Sequence, residues 1–137
     1  MATIRSHRDL IVYQRSMDLV ESTYRLLPML PATERYGLSS QLARAVISVP
    51  ANIAEGHARS GSKSYSHFLA VSRGSLMEVE TYLLLVQRLG FVDEQNLAPL
   101  FDLIGQISRM IVAIRQKLRQ NAARGNDGPS PESSLEP

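Results

Sequence analysis

The sequence predicts an all-α chain folded as an up-down-up-down, left-handed four-helix bundle, and three observations carry that expectation. Apolar residues recur at spacings of three and four in four successive stretches, the mark of helices with one buried stripe. Aromatic residues make up only 6% of the 137 residues and Trp is absent, which favours aliphatic helix packing over a β-sandwich. Gly90 and a proline-containing segment break the pattern where hairpin turns between helices belong.

The first helix is expected over about residues 9–28. Leu10, Tyr13, Met17, Val20, Tyr24 and Leu27 follow a 3-4-3-4-3 spacing, Asp9 is placed to cap the start, and Pro28 and Pro31 end it. The second is expected over 38–59, with Leu42, Val46, Val49 and Ile53 on one face and Pro50 inside. The third is expected over 63–89, capped by Ser62 or Ser64 and stopped by Gly90. Its seam reads Phe68, Ser72, Ser75, Val79, Tyr82, Val86 and Leu89. The fourth is expected over 93–121, opened by Asp93, with an unbroken heptad seam of Leu97, Leu100, Ile104, Ile107, Ile111, Ile114 and Leu118. An apolar period of 3.5 makes packed helices cross at about 20° with a left-handed twist.

Residues 1–122 thus form the expected bundle domain. The remainder, 123–137, is expected to be a disordered tail, because its Pro, Ser and Gly cannot bury enough surface to offset chain entropy. The net charge of +2 conceals an asymmetry. All fifteen Lys and Arg lie at or before Arg124, whereas Asp127, Glu132 and Glu136 follow it, so the body carries about +5 and the tail about −3. There is no cysteine for a disulfide, a thiol nucleophile or a thiolate metal cluster. No apolar run approaches the ~20 residues of a membrane span, and the N-terminus lacks a signal-peptide core. A cytoplasmic protein without a membrane partner is the expectation.

The stretch NIAEGHARSGSKS, Asn52 to Ser64, has the letters of a phosphate-binding loop with one extra serine before the lysine. Such a loop needs a strand before it, and QLARAVISVPANIAE reads as helix instead. The stretch is therefore a turn, and Lys63 at the next helix start remains a candidate phosphate contact. Gly56 is expected to let a neighbouring helix approach closely, against a small surface of Ser72, Gly74 and Ser75, with Asn52 fixing register. A catalytic role for Asn52, Glu55 or Glu78 lacks a nucleophile or base at readable spacing. The histidines, His7, His57 and His67, form no HExxH or Glu-x-x-His pattern, and Ser64, Ser66 and His67 read as helix-start polars rather than a triad. No metal, cofactor or small-molecule substrate is expected.

Two features point beyond a bare monomer. Val12, Leu19 and Leu26 recur every seven residues, off the Leu10–Leu27 seam, and are expected to form a subunit interface. Arg109, Arg115, Lys117, Arg119 and Arg124 follow one another with no acid between them, a candidate surface for nucleic-acid phosphates.

DLIVYQRSMDLV, YGLSSQLARAVISVPANIAEGHAR and FLAVSRGSLMEVETYLLLVQRLG together resemble the four-helix-bundle family of proteins encoded by intervening sequences of bacterial 23S ribosomal RNA genes. The resemblance spans roughly residues 9–120. It implies a cytoplasmic homopentamer without enzyme activity, related to the basic accessory proteins of diversity-generating retroelements, which bind nucleic acid. Asn52, Glu55, Gly56, Gly74, Ser75 and Glu78 are its signature positions here. The function expected is that of a non-enzymatic oligomeric bundle binding RNA, DNA or a nucleoprotein through basic side chains; the alternative is a protein-interaction scaffold with no nucleic-acid affinity.

Overall fold

The computed structural model describes residues 3–125; of the acidic tail expected over 123–137, Ala123 instead ends the last helix, and residues 126–137 lie outside the described residues. Four α-helices follow one another: α1 Ile11–Leu26, α2 Leu38–Ala58, α3 Ser62–Arg88 and α4 Glu94–Ala123. Short 3-10 turns precede α1 and bridge α1 to α2, and no strand occurs among the described residues.

The helix ends follow from local chemistry. Asp93 caps α4 by accepting the Asn96 N–H at 2.9 Å. Gly90 takes φ +74, and the amides of Gly90 and Phe91 return to the carbonyls of Gln87 and Val86, closing α3 in a Schellman arrangement. Two expected caps differ. Asp9 does not cap α1. Its carboxylate accepts the amides of Arg5 and Ser6, making a reciprocal cap with Ser6 on the turn His7–Asp9, and α1 begins two residues later. The cap of α3 is Gly61, with no side-chain cap bond and at φ 96, a backbone conformation that glycine adopts without the strain a Cβ would bring.

α2 and α3 share the most extensive helix contact, followed by α3 with α4, while α1 closes the set against both α2 and α4. Every predicted seam residue of α4 is buried, as are Leu42, Val46, Val49 and Ile53 of α2. α4 is long and apolar enough to cross a membrane by length and composition; here its apolar seam is part of the core. On α3 the buried arc is wider than the predicted seam. Tyr65, Leu69, Leu76 and Leu83 join it, whereas Leu89 is exposed, because α3 is wedged between two helices and needs two apolar flanks.

The expectation for α1 is corrected. Val12, Leu19 and Leu26 are 1%, 0% and 4% exposed within the single chain, so they are core and leave no surface for a subunit. Leu10 is buried too, but Met17 and Tyr24 of the predicted seam are each 46% exposed. The inward face, Val12-Ser16-Leu19-Thr23-Leu26, contains two hydroxyl residues that interrupt its apolar pattern. Ser16 satisfies its hydroxyl on the Val12 carbonyl at 2.7 Å, so it can be buried without a partner from another helix.

Candidate nucleic-acid interface

Helix direction determines which charges meet. Ser48 bonds Ser75, Ser72 bonds the Val49 carbonyl, and Gly56 abuts Tyr65 and Phe68, so α2 and α3 run antiparallel. Arg73 reaches Ser108 and Arg115 reaches Ser66, so α3 and α4 do as well. His7, just before α1, is close enough to His57 near the end of α2 to act on its charge, and the turn containing it touches α2. The start of α1, the α2–α3 turn and the end of α4 therefore lie at one end of the molecule.

That end gathers Arg5 and Arg8 from before α1, Arg59 and Lys63 from the α2–α3 turn, and Arg115, Lys117, Arg119 and Arg124 from α4. Eight cations stand there against two carboxylates, Asp9 and Glu55. Glu55 is paired with Arg59 at 2.7 Å, and Asp9 is held by the Arg5 and Ser6 amides, which keep its carboxyl below the usual carboxylate range. At the opposite end Glu21, Glu34, Glu80, Asp93 and Glu94 outnumber Arg25, Arg35 and Arg88. The two ends carry opposite net charge, a polarity that steers anions toward one of them.

The five cations proposed from α4 do not share one face. At 100° per residue, Arg115 and Lys117 point about 160° apart. Arg109 belongs nearer the middle of the molecule, where its guanidinium lies over Gly105. The other four lie at the same end of the bundle as Lys63, a register fixed by the Arg115–Ser66 bond. Arg115 is half-buried and anchored by donating Nε to Ser66 Oγ at 3.2 Å, which leaves the rest of its fork free to meet a phosphate. Arg5, Arg8 and Arg59 were missing from the sequence expectation, because nothing in one short window shows that distant segments end together. All three histidines belong to this end as well. His57 is half-buried against the edge of Tyr65, at 5.7 Å between centroids; burial first, and His7 second, push its pKa below the ordinary value.

The signature positions do different work. Asn52 donates its amide to the Ser48 carbonyl and hydroxyl at 2.8 and 2.9 Å, and Ser48 joins Ser75 at 2.8 Å. Ser72 donates to the Val49 carbonyl at 2.8 Å. The Asn52–Ser48 bonds stay within α2, whereas Ser48–Ser75 and Ser72–Val49 clamp α2 to α3. A Cβ on Gly56 would stand 2.8 Å from Phe68 Cβ and 3.1 Å from the Tyr65 ring, so close approach there is real. The small surface expected on α3 excludes Gly74, whose Cβ position has nothing within 4 Å. Glu78 lines an open cleft of about 370 Å³ with Gln41, Arg44, Ser48 and Ser75. Among the described residues no three His, Cys, Asp or Glu are grouped to hold a metal ion.

An all-helical bundle clamped by serine hydroxyls, with eight of its fifteen cations at one end, is a helical protein whose most distinctive chemistry lies on its surface. The chain belongs to the 23S rRNA-intervening sequence protein family, whose model matches residues 8–113. The fold is also that of a protein of unknown function from the S23 ribosomal protein family of Bacteroides thetaiotaomicron VPI-5482, known from its crystal structure. The two chains share 20% identity at a TM-score of 0.70, over 77% of this chain and 98% of that one. No curated protein matches the chain.

Proposed function

We propose that the protein is a non-enzymatic, self-associating bundle that binds RNA or DNA through the phosphates, using its basic end. The supporting observation is the convergence of eight Lys and Arg from three separated segments on one end that holds two carboxylates, both already engaged. Aromatic readout is weak there: Tyr65 is buried, and Phe68 is half-buried with Arg59 over its ring at 5.0 Å. Binding is therefore led by phosphate and little concerned with base identity.

Self-association uses the outer stripe of α1. Met17 and Tyr24 are exposed between the half-buried Tyr13, Val20 and Leu27, giving a continuous apolar strip where a second copy can pack. The resemblance implies a ring of five in the cytoplasm. In such a ring the basic ends repeat around the axis, and weak contacts gain avidity.

The test is a gel shift with a 20-nucleotide RNA and its DNA counterpart at low salt. The wild type retards both, and the triple reversal Arg115→Glu, Lys117→Glu, Arg119→Glu retards neither while keeping its helical circular dichroism. A wild type that retards neither leaves the interaction scaffold as the reading.

A further inference from the structure

We propose that the acidic segment after α4 docks on the basic end of its own chain and competes there with nucleic acid; the competition rests on the phosphate-binding reading above. α4 ends at Ala123, and Gly125, at φ +69 with its N–H returned to the Ala122 carbonyl, turns the chain off the helix axis. The exit point is the basic end itself, with Arg124 at the threshold. Beyond it the sequence holds Asp127, Glu132 and Glu136 and no cation. The twelve residues 126–137 span at most ~40 Å when fully extended, and a four-helix end is roughly 20 Å across, so every cation there is within reach.

Charge complementarity selects the occupant. The basic end has more cations than its own two carboxylates can neutralise, and the nearest acids outside the bundle are tethered to it. A short tether holds such a segment at an effective concentration on the order of millimolar, enough to compete although each exposed pair is weak. A strand of nucleic acid brings denser charge and displaces it. The tail thereby sets a threshold: isolated or weakly charged anions are refused, and a continuous phosphate backbone is admitted. Three tethered surface pairs put the expected effect at about threefold to tenfold in affinity.

The absence of native cysteine permits a single spin label on the full chain through Ser133→Cys. At low salt the label is expected to broaden the amides of Arg8, Arg59 and Lys63, with the effect lost in 0.5 M salt and in the variant Asp127→Asn, Glu132→Gln, Glu136→Gln. Equal broadening with the neutral tail, or broadening confined to residues 119–125, overturns the docking. The same neutral-tail variant, without the label, is expected to bind a 20-nucleotide oligouridine threefold to tenfold more tightly at low salt, the difference vanishing at 0.5 M. Unchanged affinity overturns the competition. If neither protein binds the RNA, the phosphate-binding reading fails, and the competition with it; the broadening still decides whether the tail docks.

Discussion

Gly56 and Gly74 lie in neighbouring helices, yet their surroundings differ. A methyl group at position 56 collides with Phe68 Cβ at 2.8 Å and crowds the Tyr65 carbonyl, which is backbone and cannot swing aside. Gly56→Ala is expected to cost about 1–3 kcal/mol by forcing α2 from α3. Gly74→Ala meets nothing within 4 Å on an exposed helical position and should stabilise by about 0.5–1 kcal/mol, through the lower entropy of the unfolded chain. Urea unfolding of the pair measures both signs. His57 provides a pH test. Its folded pKa lies below the 6.5 of an ordinary histidine, so the unfolded chain takes up the proton first as pH falls. Stability is whole above about pH 6.5 and declines on acidification toward the depressed folded value. His57→Gln should flatten the decline in urea midpoint between pH 7.5 and 5.5. Of these residues, Gly56 was legible in the sequence, because a glycine at a seam position implies a close neighbour. Gly74 was misread for the same reason: its composition matches a small surface, but it points away from α2.

The four helices themselves were readable where their apolar pattern was uninterrupted. α4 displays its entire core face as Leu and Ile, and its predicted seam is buried throughout. α1 has two competing stripes, and the one with larger side chains faces outward. Periodicity alone weights Met17 and Tyr24 above Ser16 and Thr23, whereas packing selects by shape: the small hydroxyl residues fit between Val12, Leu19 and Leu26. This inversion gives α1 a two-sided prediction. Leu19→Ala is expected to destabilise the fold by about 2–5 kcal/mol, as removal of a fully buried leucine does. Met17→Glu with Tyr24→Glu should leave thermal unfolding of the single chain little changed and shift sedimentation toward the monomer. A sedimentation profile identical to wild type would remove the outer stripe of α1 as the surface of association.

On the scale of the whole molecule, the basic end is the property that no segment contains by itself. Lys63 and four of the α4 cations were visible in the sequence as local features, but Arg5, Arg8 and Arg59 become partners only once antiparallel packing brings three chain segments level. The salt dependence of binding reports this convergence. If these cations act together on a phosphate backbone, a plot of log affinity against log salt is steep, and each contact removed lowers its slope by about 1. Lys63→Gln should therefore weaken binding to unrelated RNA sequences equally and reduce the slope by about one. Arg109→Gln, away from the cluster, should leave it unchanged.

The serine clamp between α2 and α3 bears on the order in which the molecule comes apart. Three residues join these helices, hydroxyls tie them at Ser48–Ser75 and Ser72–Val49, and Gly56 lets them touch closely. Closing so short a loop costs little entropy, so this hairpin is the natural nucleus from which the remainder condenses. Backbone amides of α2 and α3 should consequently be the slowest to exchange with deuterated water, while α1, with its exposed flank and looser neighbours, detaches first.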